Sequence, residues 1–322
     1  MMPKMDGITA TREIRSREGI QTRLSESSLS RSSGQLSQTP SENIELDLLL
    51  DAIHRRYHYD FRGYSRASVR RRVEFACQKF GCATISALQD RILHEPALLP
   101  DLIDCMTVQV SEMFRDPGYF RMLREQVVPH LRTFPSLKVW VAGCSHGEEL
   151  YSLAILFREE GLEQRTMFYA TEINRGALER AKAGIYDLDR IPLFTENHRR
   201  SGGRSSLSDY YTAAYGAAVF DKSLRERTVF AEHDLAADQV FSEMHLISCR
   251  NVLIYFDNEL QNRAVGLFKD SLTRGGFLGL GASESLRFLD NNSAFASFAD
   301  DERIYRRAAG RAPSGEVGRV VA

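Results

Sequence analysis

From residue 138 onward, short apolar runs alternate with amphipathic helical segments, and each early run stops at a turn of small or acidic residues. Residues 138–142 (KVWVA) break at Gly143 and give way to a helix through Leu156. Residues 167–170 (MFYA) close at Thr171-Glu172, ahead of a helix over 175–183. Residues 245–249 (HLISC) precede a helix capped by Asp257, with Leu260, Ala264, Leu267 and Phe268 on one face. Residues 277–280 and 303–306 supply two later strands. A strand without a polar face has to be covered on both sides, so the pattern predicts an α/β fold with a mostly parallel, Rossmann-like sheet between helices.

Upstream, residues 44–131 read as an all-α subdomain. Leu46, Leu49, Leu50 and Ile53 recur at helical spacing, as do Leu98, Leu102, Ile103 and Met106. Asp116-Pro117 predicts a helix start, Asp as cap and Pro at the first position, with Phe120, Leu123, Val127 and Leu131 on the buried face. Residues 132–308 then form the α/β domain, and its weakly periodic stretch 186–232 reads as a small inserted subdomain. Residues 20–43, rich in Ser and Gln, are expected to be a flexible linker, and 309–322 a polar tail. Residues 1–19 (MMPKMDGITATREIRSREG) resemble the strand-to-helix switch region of a response-regulator receiver domain. A receiver's phosphorylatable Asp lies upstream of that motif, so this segment is expected to be a truncated remnant unable to accept phosphate.

Charge narrows the partners. The formal net charge is −1, so no global field recruits nucleic acid or an anionic membrane. No apolar run approaches the roughly 18 residues of a membrane span, and no signal-peptide core opens the chain, so a cytoplasmic protein is expected, without membrane insertion and monomeric. The five cysteines form no CxxC pair and read as free thiols in a reducing compartment. No metal site is expected.

Open α/β sheets bind ligands at the carboxyl ends of their strands. The first such end reads Gly143-Cys-Ser-His-Gly147-Glu-Glu149. Small residues let a ligand approach the backbone, but the adjacent carboxylates disfavour a pyrophosphate and favour a cationic or hydroxyl-rich molecule. Glu172 ends the second strand where nucleotide-binding folds place an acid on ribose hydroxyls. S-adenosylmethionine has a ribose and a sulfonium cation and no phosphate, and fits this pattern.

Three stretches resemble the hallmarks of the chemotaxis receptor methyltransferases, the CheR family, and occur in the family's order. They are 110–116 (VSEMFRD), 142–152 (AGCSHGEELYS) and 249–256 (CRNVLIYF), and the resemblance spans roughly residues 44–308. It implies a protein-glutamate O-methyltransferase that converts receptor glutamates to methyl esters and leaves S-adenosylhomocysteine. Position by position, it implies that Gln109, Ser111 and Arg115 line the cofactor, Arg115 near the methionine carboxylate or the reacting centre. Gly143 would line the cofactor, Glu149 would meet its amino-acid part, Glu172 its ribose, and Asp234 and Leu235 its adenine. Arg250 and Asn251 would close the pocket, with Tyr255 near the transferred methyl. Arg66, Arg70, Arg71 and Arg72 would meet an acidic helix of the methyl-accepting receptor's cytoplasmic domain.

Some positions depart from the commonest family pattern. Gln109 stands for Asn, Ser111 for Thr, Glu172 for Asp, Asp234 for Asn and His146 for Thr, while the family's GHSE turn reads Gly281-Ala-Ser-Glu284. The bland alternative for Arg115 is a surface pairing with Asp116 or Glu112; for Tyr255, a core aromatic; for His146, a solvent-facing turn residue. An alternative function is a catalytically weak cofactor-binding sensor or scaffold. A nucleic-acid methyltransferase would want a Pro-Pro-Tyr or Pro-Cys motif, and neither occurs. No GxGxxG follows a strand, which argues against a dinucleotide oxidoreductase.

Overall fold

The computed structural model describes residues 40–240 and 243–308. The receiver-like segment 1–19, the linker up to residue 39 and the tail 309–322 lie outside the described residues. The described residues from 44 to 308 group as one compact unit.

Helices Pro40–Tyr57, Arg66–Phe80, Ile85–His94 and Leu99–Met106 come first. They close on their own core, in which Leu46, Leu49, Leu50 and Ile53 meet Val69, Val73, Leu88 and Met106. Burying each such side chain contributes roughly 1.5–3 kcal/mol. The helix at Pro117 begins without the expected cap. Asp116 sits at φ 57° and makes no capping hydrogen bond, because its carboxylate is drawn to Arg250 at 2.6 Å. This helix runs Pro117–Met122, widens to a π turn over Leu123–Val127 and resumes as Val128–Leu131. Phe120, Leu123, Val127 and Leu131 are all buried beneath it.

The main sheet has seven strands: β1 Leu137–Ala142, β2 Thr166–Glu172, β6 Thr228–Glu232, β7 Met244–Cys249, β8 Leu272–Leu280, β9 Phe295–Ala299 and β10 Ile304–Arg307, ordered β6-β2-β1-β7-β8-β10-β9. The first five in that order are parallel, and β10 and β9 complete the sheet antiparallel. Helix Glu148–Glu159 packs on one face with the Pro117–Leu131 segment, and helix Asn258–Ser271 on the other, so β1 and β7 are buried almost throughout. Strand order reverses between β1 and β7, which opens a crevice at their carboxyl ends.

Strands β6 and β9 were not expected. Both are edge strands with half-exposed, irregular patterns (TVFAE, FASFA) that carry no long apolar run. The stretch read as an insertion therefore divides. β3 Ile185–Asp187, β4 Tyr211–Ala214 and β5 Ala217–Phe220 form a separate antiparallel sheet, with helix Ile191–Arg200 between β3 and β4. Residues 228–232 belong to the main sheet.

Candidate functional site

At the carboxyl ends of β1, β2, β6 and β7 lies a cavity enclosing about 940 Å³ of empty space, part of it open to solvent. Gln109, Ser111, Arg115, Gly143, Glu149, Glu172, Asp234, Leu235, Arg250, Asn251 and Tyr255 all line it, so the residues singled out from sequence converge on one wall-to-wall site. The helical layer closes it from above. Ser65 donates its backbone N–H to the Tyr255 carbonyl at 2.7 Å, and Asp257 donates to the Gly63 carbonyl at 2.9 Å.

The β1 end needs its glycine. Gly143 sits at φ 71°, and a Cβ there would lie 2.6 Å from Val252 Cγ2, so only a bare backbone lets the β7 loop come this close. Non-glycine residues in the same left-handed region also gather here: Phe114 at φ 51°, Ser145 at 51° and Asn251 at 61°. Such conformations persist where surrounding bonds over-determine them, and they cluster at working sites.

Glu172 is 7% exposed and organises the first loop. Its carboxylate accepts from Ser145 N at 2.9 Å and from Asn174 N at 3.1 Å. Burial pushes its pKa up, and these donors with the Gln109 side chain oppose the rise. Burial also raises the Asp234 carboxyl, to about 6. It accepts from Asp60 N at 3.1 Å and Ala236 N at 2.9 Å, so it ties the helical layer to the end of β6.

Glu149 is held from two sides. Ser248 Oγ donates to it at 2.6 Å and Arg250 Nη1 at 3.2 Å, while Tyr119 OH meets Ser248 Oγ at 2.8 Å. Arg250 also donates to the Arg115 carbonyl at 2.9 Å, and its guanidinium lies 4.3 Å above the Tyr119 ring. Asp116 is thus committed to Arg250, and among the described residues the Arg115 guanidinium has no hydrogen-bond or ion-pair partner. The bland surface pairing considered for Arg115 is not formed.

The arginine cluster separates. Arg72 turns inward: it lines the cavity, donates to the Thr107 carbonyl at 3.2 Å and stacks 5.5 Å from the Tyr255 ring centroid. Burial lowers its pKa. Arg66 is exposed and pairs with Asp47, Arg71 is exposed, and Arg70 is half-buried; none of these three lines the cavity. His146, expected to face solvent, is half-buried with its pKa lowered to about 4 by burial.

Sequence reasoning passed over Tyr64, Ser145, Ile173 and Val252, which also line the cavity, and Ser248, which orients Glu149. Ser145 and Val252 lay inside quoted motifs and could have been found there. Tyr64 had no local signal, because only tertiary packing brings it against Phe256, at 4.9 Å between ring centroids.

The buried polar atoms of the cavity lining that have no partner among the described residues include Gln109 Oε1 and Ser145 Oγ. Burying such atoms unpaired is unfavourable, and a ligand rich in hydroxyls and amines would satisfy them. Three carboxylates set around a lining without lysine fit a ligand with a ribose and a cationic centre, and S-adenosylmethionine is of that kind. Among the described residues no group of His, Cys, Asp or Glu is placed to hold a metal ion, and no helix is long and apolar enough to cross a membrane. All five cysteines are free.

Residues 44–107 match the family described as CheR methyltransferase, all-alpha domain, and residues 109–303 match CheR methyltransferase, SAM binding domain. A Pseudomonas putida protein, Cher3, is 53% identical over 266 residues, covering 83% of this chain and 97% of that protein. A Listeria innocua protein named chemotaxis protein methyltransferase is 33% identical over 229 residues, covering 70% of this chain and 84% of that protein. Among solved structures, the magnesium protoporphyrin IX methyltransferase ChlM of Synechocystis shares 16% identity, covering 63% of this chain and 87% of that one, with a TM-score of 0.33. That likeness is too slight to add to the family match.

Proposed function

The chain belongs to the CheR family of S-adenosylmethionine-dependent methyltransferases, and from that membership we propose that it methylates glutamate side chains on the cytoplasmic domains of chemoreceptors. The products are glutamate methyl esters and S-adenosylhomocysteine, and the reaction takes place in the cytoplasm. The observation behind this reading is an unpaired Arg115 guanidinium in the same cavity as Tyr255, Glu149, Glu172 and Asp234.

When bound, the cofactor supplies an electrophilic methyl on its sulfonium. In the proposed arrangement Glu172 accepts from the ribose hydroxyls, Glu149 from the amino group, and Asp234 and Leu235 flank the adenine. Gln109 and Ser111 line the cofactor from the helical side, and Arg250 and Asn251 close the pocket. A glutamate acceptor, with a reference pKa of ~4.3, is already ionised at neutral pH, so no general base is required. Arg115 is free to grip that carboxylate with a two-pronged hydrogen bond. Tyr255, its ring held by Arg72 at 5.5 Å, would flank the transferred methyl, with Val252 and Phe256 in the same lining. The gain comes from alignment and from stripping solvent off the carboxylate. Arg66, Arg70 and Arg71 form the outer face that meets the acidic receptor helix, and Arg72 is assigned to the pocket wall.

The test is transfer of tritiated methyl groups from S-adenosylmethionine to purified receptor cytoplasmic fragments. Glutamate esters release volatile methanol on mild base treatment, and the label should disappear from receptors whose acceptor glutamates are changed to alanine. Label that resists base, or no label on any receptor fragment, refutes the reading.

A further inference from the structure

Strands β7 and β8 run parallel and end side by side, with Cys249 opposite Leu280. Beyond those ends the chain turns, and turning leaves backbone N–H groups without a ladder partner. Four of them point at one carboxylate. Glu284 Oε2 accepts from Gly281 N at 2.6 Å and Asn251 N at 2.9 Å, and Oε1 from Val252 N at 2.9 Å and Leu253 N at 2.7 Å. The residue is 4% exposed and does not line the cavity.

The loop held in this way carries Arg250, Asn251, Val252 and Tyr255, all of which do line it. Asn251 is kept at φ 61°, a left-handed conformation that asparagine tolerates better than most non-glycine residues. A carboxylate suits the place because it offers about four acceptor sites and no hydrogen, whereas a carboxamide offers one acceptor oxygen and would aim N–H at N–H. Gly281 closes the same nest: a Cβ on it would lie 2.8 Å from Asn251 N.

We propose that Glu284 is the positioning residue of the cofactor site, its carboxylate setting the loop 250–255 at the geometry that binds S-adenosylmethionine and presents Tyr255. The proposal rests on the cavity being the cofactor site, and the experiment separates the two. S-adenosylhomocysteine is titrated by calorimetry into wild type, Glu284→Gln and Gly281→Ala, alongside thermal melts and kcat at saturating cofactor. Glu284→Gln is expected to melt cooperatively, to bind the product at least about tenfold more weakly, and to lose kcat as well, in keeping with the loss of hydrogen bonds to a charged acceptor. Gly281→Ala keeps the carboxylate but pushes the same loop, and should weaken binding similarly; it decides the matter if the Gln variant does not fold. A residue with only a structural part would lower the melting temperature and leave the folded fraction's affinity intact. Both variants binding within about twofold of wild type would overturn the proposal. Wild type that binds nothing would count against the cofactor site itself.

Discussion

Asp234 lines the cavity and ties the helical layer to the end of β6, and its environment makes the cost of its charge measurable. Burial raises its carboxyl pKa from 3.8 to about 6, against the opposing donors Ala236 N and Asp60 N, while Asp60 and Asp238 add to the rise. The native state therefore holds more protons than the unfolded chain between those two values, and stability falls as pH climbs through the window. The difference is about 2 pKa units, and one unit corresponds to about 1.4 kcal/mol, so the ionised group costs at most about 3 kcal/mol. Asp234 is partly exposed, which brings the expected figure nearer to ~2 kcal/mol. Asp234→Asn removes the charge at nearly constant shape. Its single acceptor oxygen leaves one of the two N–H donors without a partner, a loss of about 1 kcal/mol. The variant should therefore be about 1 kcal/mol less stable than wild type near pH 4 and equal or more stable at pH 8. Urea unfolding of both proteins at half-unit intervals between pH 4 and 8 gives the curve directly. A difference that does not change with pH, or one that moves against the variant as pH rises, refutes the reasoning.

Glu172→Ala should weaken S-adenosylhomocysteine binding by about 10- to 100-fold by calorimetry, since a charged acceptor and its hold on Ser145 N and Asn174 N are lost together. Arg250→Leu should destabilise the fold by roughly 3 kcal/mol in urea, because it strips Glu149 and Asp116 of a buried partner; a loss under about 0.5 kcal/mol would show the pair to be idle. Arg71→Glu should raise the KM for receptor fragments several-fold at low salt, with the difference shrinking as ionic strength passes about 0.1 M, while cofactor affinity stays the same. A KM unaffected by this reversal at low salt would remove that helix face from receptor recognition.

Much of the α/β frame was legible because β1, β2, β7 and β8 are buried on both faces, and such burial writes continuous apolar runs into the chain. The residues at their carboxyl ends were legible for a related reason, since a backbone that must meet a ligand closely uses Gly143 and sets acids such as Glu149 and Glu172 beside it. Edge strands β6 and β9 left no comparable trace, as one side of each faces solvent or a loop and tolerates Thr, Glu and Ser.

Pairing between distant side chains was decided only in three dimensions. Asp116 looked like a helix cap from its neighbours, yet a buried guanidinium 134 residues away offered a stronger partner. Arg72 looked like one more member of a basic helix face, but helical periodicity turned it toward Tyr255 while Arg71 stayed outside. Glu284 showed in sequence only as the end of a turn resembling the family's GHSE, and its role stayed hidden because the four N–H groups it satisfies become neighbours only when β7 and β8 lie in register. Local patterns record which residues are buried and where the chain turns, so the sequence alone determined most of the strand-to-helix frame and the strand-end residues Gly143, Glu149 and Glu172, while the rest of the expected pocket came from the family resemblance. Which charge meets which depends on desolvation and distance between segments far apart in the chain, and only the tertiary structure decided that.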